Sequence, residues 1–522
     1  MPQKIAIIGA GAAGMSCAAS LAAHPDRFAV TLVDVASLTG GQATSIPLDA
    51  SQFGASWLND GVQGGSPIFR HTFRFFRQHG HEPQPVQLQV AFGKGRDAFF
   101  TNVFPSPLIE ASRPEILKLG RVLKCIKYAM PILGLVPVKT LLSLFRFSAH
   151  FGTRVVLPLL ALFLGTGNQT PNVPCILLER LFDDPQMRLW EYDADSLLPN
   201  RPTMYTFPNL GDFYRDWTAD LQARGVEVLL NTRTEILRRH PRDGVTLSFT
   251  TSTSTPAESA HSTSVKRDFD YLVLCTQPDE SKNLLGSLAT WKEKYVLGGV
   301  RFYNDLTITH CDAAYFTRTF ETQCTPDLCV EKKKDKARDE RIAFAQSSSA
   351  CQSDGWQGFH PMYYTHSYAN APECIEMGFD CSNYQHQFRQ ALGEGNPSPP
   401  PDRHVYQTIF LDDSRRDLWT CDEIDADKVI ARKEWHQFGH RWQHYLRVVP
   451  GMMFLNGKNR TFYAGSWTMV NMHEIACISG IAAAHRLGAT YEPFDDLAED
   501  LFAKYLLVCH GVRHKKQSKK QS

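Results

Sequence analysis

Lys4-Ile5-Ala6-Ile7-Ile8 runs directly into Gly9-Ala10-Gly11-Ala12-Ala13-Gly14, and then into an Ala-rich stretch from Met15 to Ala23. The short apolar run reads as a buried strand, and the Ala-rich stretch as a helix. Between them the glycines form G-x-G-x-x-G, the dinucleotide fingerprint in the context that gives it meaning. Gly9 permits the tight turn, Gly11 lets the backbone approach a pyrophosphate, and Gly14 lets helix pack on strand. The N–H groups of Ala12 and Ala13 then open the first helical turn, where the helix dipole favours anions. A second strand, Ala29-Val30-Thr31-Leu32-Val33, ends on Asp34, twenty residues past Gly14. A carboxylate at that place accepts hydrogen bonds from an adenosine ribose. The start of the chain is a dinucleotide site, and the rest is arranged around it.

Asp34 alone does not separate NAD from FAD. Further glycine loops follow it: Ser37-Leu38-Thr39-Gly40-Gly41-Gln42-Ala43-Thr44 and Asn59-Asp60-Gly61-Val62-Gln63-Gly64-Gly65. Gly40, Gly41, Gln42, Thr44, Gly61 and Val62 are candidates to line the nucleotide. Near the other end, Thr461-Phe462-Tyr463-Ala464-Gly465-Ser466-Trp467-Thr468 leads through Met472-His473-Glu474 into a small-residue helix, Ile475 to Ala484.

With these three segments the chain resembles the flavin-containing amine oxidoreductase superfamily, which includes monoamine oxidases, phytoene desaturases and protoporphyrinogen oxidases. It is most similar to the branch that also forms the N-terminal flavin domain of plant cyclopropane-fatty-acid synthases. The resemblance implies non-covalent FAD, since the surroundings of Cys477 do not resemble the covalent-attachment motif of monoamine oxidases. It implies that Gly465 and Ser466 approach the pyrophosphate and ribityl chain, and that the helix opening at Glu474 aims its N-terminus at the flavin ring. It also places Thr234 beside the adenine through its backbone. The implied fold is α/β: a discontinuous Rossmann-like FAD-binding domain with a second, α+β substrate domain, as in amine oxidases and glutathione reductase. The expected division is 1–75, 205–300 and 455–490 for the cofactor, 76–204 and 301–454 for the substrate, and 491–522 as a C-terminal tail.

Composition agrees with a large globular protein. At 522 residues, 43% hydrophobic and 21% charged, the chain fits two closely joined folded domains and not a disordered one. A formal net charge of +1 gives no case for a nucleic-acid partner. The 13 Cys show no C-x-x-C pair and no framework spacing, which suits free thiols in a reducing, intracellular compartment. So little chain precedes the first strand that no signal peptide is expected.

Along the chain, Ile68 to His81 reads as an amphipathic helix with Phe69, Phe73 and Phe76 near one face. From Pro114 to Leu164 apolar runs alternate with Lys118, Arg121, Lys124, Lys127, Lys139, Arg146 and Arg154. Pro131, Pro137 and Pro158 interrupt them, and none reaches the ~18 uncharged residues that a spanning helix wants. Two readings stay open: core helices of a substrate cap, or helices docked on a membrane surface with basic residues at the headgroups. The basic end of the chain, Lys515 to Lys520, leans toward the second. The protein is accordingly expected in the cytoplasm or peripheral on a membrane. Gly225 to Ile236 reads as strand, turn, strand; Thr250 to Ser264 as a Ser/Thr-rich hairpin tip; and Asp270 to Thr276 as a buried strand. The three His between Glu434 and His444 fall at no metal-ligand spacing, so no metal is expected.

A flavin accepts a hydride and passes electrons to O2 or another acceptor, while the protein orients the substrate and excludes water. His473, His310 and Asp312 are the candidate catalytic residues, because His is the common acid–base group near neutral pH. Amine oxidases commonly carry a Lys that holds a water at the flavin. Between Gly299 and Asp312 no Lys occurs, and Thr309-His310-Cys311-Asp312 instead resembles a signature of the synthase-linked branch. The first expectation is thus an FAD-dependent oxidoreductase for a hydrophobic small molecule, by desaturation, isomerisation or oxidation. The alternatives are a peroxide-releasing amine oxidase and a non-catalytic, flavin-bearing, membrane-associated protein.

Overall fold

A computed structural model describes residues 1–164, 167–184, 189–251, 264–331 and 335–515. The opening strand, Gln3–Ile8, lies at the centre of a parallel five-stranded sheet. In spatial order the strands are Glu227–Leu229, Phe28–Val33, Gln3–Ile8, Tyr271–Leu274 and Thr461–Tyr463. Ile5 pairs with Val30 on one side and Tyr271 on the other. Its four apolar residues, Ile5 to Ile8, are buried on both faces, as a parallel strand covered by helices must be. Helix α1 (Ala12–Ala22) follows at once and is almost wholly buried. Helix α2 (Arg70–Gln78) buries Phe73 and Phe76 as the periodicity predicts, but also His71 and Thr72.

A seven-stranded sheet forms the second layer. Its order is Val429–Phe438, Phe302–His310, Tyr406–Phe410, Ala371–Asp380, Tyr363–Tyr368, Val90–Phe92 and Phe100–Thr101. The apolar and basic stretch after Pro114 is helical. Its longest pieces are α3 (Arg113–Tyr128), α4 (Val138–Leu144) and the run Leu157–Leu164. Ile116, Leu119, Val122, Ile126, Leu141 and Leu160 are buried in the main core, and the run Leu157–Leu164 packs on the strands Tyr363–Tyr368 and Ala371–Asp380. No helix among the described residues is long and apolar enough to cross a membrane.

Helix α5 (His473–Leu487) packs against α1, fastened where Ser16 Oγ donates to the Cys477 carbonyl at 3.0 Å. The expected tail 491–522 instead begins with helix α6 (Asp496–His510), which buries Phe502, Tyr505 and Leu506 against its neighbours. Tyr505 OH and Thr468 Oγ1 lie 2.7 Å apart, which ties α6 to the loop before α5. An apolar stripe of that size has to be covered, and the helix Val449–Leu455 and α5 pack against it. The Ser/Thr-rich tip falls mostly on residues 252–263, and the basic end on residues 516–522; both lie outside the described residues. The strands flanking the former, Gly244–Thr251 and Ser264–Phe269, pair antiparallel.

Candidate functional site

The carboxyl ends of four parallel strands meet at one cavity of about 310 Å³, where ligands of open α/β sheets bind. Ile8 leads into Gly9, Gly11, Ala12 and Ala13; Val33 into Asp34; Leu274 into Cys275 and Thr276; Tyr463 into Gly465 and Ser466. Gly40, Gly41, Gln42 and Val62 close the wall between them. Gly9 has φ +107, and a Cβ there would sit 2.8 Å from the Cys275 carbonyl oxygen. Gly14 does not reach the cavity: a Cβ on it would lie 1.8 Å from the Gly9 carbonyl oxygen, the close helix–strand approach read from the motif. Asp34 is oriented at its strand end by two backbone donors, Ala10 N–H at 2.6 Å to Oδ2 and Ala36 N–H at 2.9 Å to Oδ1.

Three helices begin at this cavity without a side-chain cap: α1 at Gly11, α5 at Met472 and the helix Pro278–Leu285 at Gln277. Their first-turn N–H groups need acceptors, and the cavity is where those acceptors would sit. An extended dinucleotide fits the donor set, its pyrophosphate at α1, its ribose at Asp34 and its redox ring at α5. Val62, Met472, His473 and Ala476 surround the α5 end.

Thr44, Thr234 and Glu474, also expected at the nucleotide, do not line the cavity. Thr44 accepts from Lys433 Nζ at 2.8 Å, outside the cavity wall. Thr234 lies in an antiparallel strand, paired with Phe249, with its Oγ1 buried and unpartnered. Glu474 turns away from the cavity, because its carboxylate caps α2. Its Oε1 accepts from His71 N–H at 3.0 Å, and its Oε2 from Thr72 N–H at 2.9 Å. His71 Nδ1 lies 2.7 Å from the same Oε1. Glu474 is therefore a tether between α2 and α5.

A second cavity, of about 260 Å³, adjoins the first and shares Gln42, Val62, Asn471, Met472 and His473 with it. One of its walls is a face of the seven-stranded sheet. Met377 and Phe379, Ile409 and Leu411, and Trp435 and Gln437 all line it, each pair two residues apart. Alternation along a strand puts such pairs on one side, and the register sets Met377 opposite Ile409 and Tyr363 opposite Phe379. Phe69, Leu88, Leu162, Leu189 and Met204 complete the apolar lining. Gly61, expected at the nucleotide, lines this cavity, with room only for hydrogen beneath Trp435 (Cβ to Cη2 2.4 Å). Among the described lining residues there is no Asp, Glu, Lys or Arg.

Of the three acid–base candidates, only His473 borders the cavities. Its Nε2 lies 2.7 Å from Tyr214 OH, and its Nδ1 lies 3.0 Å from Thr72 Oγ1. Burial holds its pKa down at about 4, so the ring is neutral near pH 7. With both nitrogens engaged inside the protein, His473 braces the wall. His310 is fully buried in the second sheet, with Nε2 3.0 Å from Thr408 Oγ1 and Nδ1 accepting from Asp312 N–H. Asp312 caps the helix Ala313–Thr319 and accepts from Asp425 N–H at 3.0 Å. Burial would raise its pKa, but these backbone donors and Lys428 hold it below the ordinary value. The pair lies away from both cavities and is structural.

The sequence reading passed over Leu88, Met204, Ile409, Leu411, Trp435, Gln437 and Asn471, since apolar alternation in a strand also describes ordinary core. It also passed over Thr276, Gln277 and Glu280, which line the cofactor cavity. Their signal was available: they follow a parallel strand, at the edge where such sheets bind ligands. No cluster of three or more His, Cys, Asp or Glu able to hold a metal occurs among the described residues.

Residues 7–79 match the family model of the NAD(P)-binding Rossmann-like domain. A search of curated protein sequences finds no match. Solved structures do match over nearly the whole chain. A CLA-producing fatty acid isomerase from P. acnes is 16% identical with a TM-score of 0.54, covering 93% of this chain and 99% of that one. Putrescine oxidase bound to putrescine is 11% identical with a TM-score of 0.56, covering 94% and 100%. Cyclohexylamine oxidase from Brevibacterium oxydans IH-35A is 12% identical with a TM-score of 0.55, covering 96% and 100%. At such identities the shared property is architecture. The chain shares the fold of these solved structures.

Proposed function

We propose that this protein is an FAD-dependent oxidoreductase acting on an uncharged, hydrophobic small molecule. The observation that carries the reading is the pair of joined cavities: a nucleotide slot at the ends of the parallel strands, opening into an apolar chamber with no charged wall residue among the described residues. Bound flavin would supply the electron acceptance. Gly11, Ala12 and Ala13 would hold its pyrophosphate, Asp34 its ribose, and the start of α5 the edge of its ring. The chain's own contribution at the reacting end is orientation and exclusion of water. Phe379, Ile409 and Leu411 hold an apolar chain or ring against the slot, and the amides of Asn471 and Gln437 provide the polar contacts. Oxidation removes a hydride to the bound flavin and a proton from the substrate; His473, held by two internal hydrogen bonds, is disfavoured as the acceptor of that proton, which leaves solvent water to take it.

The fold is shared with enzymes named for fatty acids and for amines. An amine cation in this chamber would lose its hydration and find no carboxylate, which costs several kcal/mol. That favours the lipid-like substrate. Cys477 supports non-covalent binding of the cofactor, since its thiol faces Thr72 and His473 within the protein.

The test begins with purified protein, denatured to release a yellow chromophore whose mass identifies it. Anaerobic bleaching of the intact protein by uncharged lipids, such as unsaturated fatty-acid methyl esters or isoprenoids, and by no member of a panel of primary and secondary amines, is the expected result. Bleaching by an amine would favour an amine oxidase. A protein that binds no flavin at all would end the proposal.

A further inference from the structure

The helices after Pro114 bury most of their apolar residues, yet four large ones remain outside. Tyr128 is 85% exposed, Ile132 78%, Leu144 63% and Leu117 47%. On α3 the positions Leu117, Arg121, Lys124 and Tyr128 are all exposed and fall within a sector of roughly 60°. Ile132 continues this end of the stripe in the short helix Met130–Leu133. The end of α4 is fastened beside Leu117, because Lys118 Nζ donates to the carbonyls of Phe145 and Arg146 at 3.3 and 3.0 Å. That places Leu144 and Arg146 next to the α3 stripe.

The charge on this face is mostly positive. Lys118, Arg121, Lys124, Lys127, Lys139 and Arg146 are its cations, in a chain whose formal net charge is +1. Its carboxylates are occupied: Glu115 by Ser148 N–H and Oγ, and Asp183 by Lys127. Arg121, Lys124, Lys139 and Arg146 have no carboxylate at ion-pair distance among the described residues. Large apolar side chains set among unpaired cations are the make-up of an interfacial helix. The apolar groups enter the acyl boundary while the basic ones stay at anionic headgroups.

We infer that the outward face of α3, the short helix Met130–Leu133 and the end of α4 docks the protein onto an anionic lipid bilayer. The surface stands independently of the reaction proposed above. It would place a chamber for hydrophobic molecules on the phase that holds them.

The test uses the full chain in flotation with phosphatidylcholine vesicles, prepared with and without phosphatidylserine. Binding to the anionic vesicles, weakened by salt and small on neutral ones, is expected. Replacing Arg121, Lys124 and Lys139 together by Glu should weaken it on the order of a hundred-fold, at about five-fold or more per cation. The pair Tyr128→Ser and Ile132→Ser should also weaken it, by removing the inserted groups. The matched control is Trp291→Ser with Phe454→Ser, on another exposed apolar region, and should leave binding unchanged. Circular dichroism of each variant should match the parent. No association with anionic vesicles would overturn the inference. So would association lost only in the control, or retained in both test variants, as binding through the basic C-terminus would give. A self-associated form in ultracentrifugation that Ile132→Ser dissociates would assign the face to a second copy and equally overturn it.

Discussion

Replacing Gly480 by Ala sets two physical effects of opposite sign against each other. Gly480 lies inside α5, where Ala is favoured over Gly by about 1 kcal/mol. The added Cβ, however, would stand 2.0 Å from the Ala13 carbonyl oxygen, 2.3 Å from Ser16 Oγ and 2.9 Å from Cys17 N. Ordinary contact begins near 3.4 Å, so α1 and α5 must part by more than about 1 Å at their crossing. The nearest obstacle is backbone, which cannot swing aside. Overpacking of this kind costs about 1–3 kcal/mol, and a rigid obstacle puts it at the upper end. The expected net loss is about 2 kcal/mol, read as a lower urea midpoint by far-UV circular dichroism. Both helices point their uncapped N-termini at the nucleotide slot, so parting them should also weaken binding of the FAD proposed for it, measured by quenching of flavin fluorescence. A Gly480→Ala protein as stable as the parent or more so, with unchanged flavin affinity, would refute the close crossing as the device that sets the slot.

Three further outcomes follow from the geometry. Glu474→Ala strands the buried N–H groups of His71 and Thr72, each worth about 1–3 kcal/mol when unsatisfied; a large drop in the thermal midpoint is expected, and a neutral substitution would discredit the tether. Ile409→Trp fills the apolar chamber from the sheet face, so it should slow anaerobic bleaching by a lipid at least ten-fold while leaving flavin content unchanged, and equal rates would show that the substrate binds elsewhere. Stability should rise with pH between about 4 and 6.5. Burial lowers the pKa values of His310, His360, His386, His444 and His473 to about 4, and those of His440 and His510 to about 3. The unfolded chain protonates these groups near 6.5, so it binds more protons throughout that window, and acid favours unfolding. His404 opposes the trend: burial would lower its pKa, but Asp380 raises it, so its contribution is present in acid and lost as pH rises through the folded value. Urea midpoints at about pH 5 should lie below those at pH 7, and the reverse order would contradict the buried, neutral histidines.

The fingerprint from Gly9 to Gly14, the acid at Asp34 and the pair Gly465-Ser466 were legible because they are local. Each is a turn or strand end whose chemistry follows from a few consecutive residues. The nucleotide cavity gathers nearly all of them. Glu474 was misread for the same reason, since its place beside the flavin segment was plain in the sequence while its partners, His71 and Thr72, are some four hundred residues away. His310 and Asp312 were attractive as residue types in a short motif, yet they satisfy each other and Thr408 inside a sheet.

The C-terminal helix shows the converse. Residues 496–510 carry an ordinary amphipathic pattern, and only the groove between the last cofactor segments makes them part of the core. The apolar chamber is a stronger case. Leu411 and Trp435 look like core in sequence, and what separates core from chamber is whether another layer fills the space opposite.

The sequence by itself determined a nucleotide-binding α/β unit with both ends of the chain contributing, because glycine turns, strand ends and helix starts are set by short-range sterics and hydrogen bonding. Only the tertiary structure decided which polar residues reach the cavities, that the described wall of the chamber beside the slot carries no charged residue, and which apolar helix residues stay outside. Burial and pairing depend on what the rest of the chain brings within a few ångströms, and no local pattern records that.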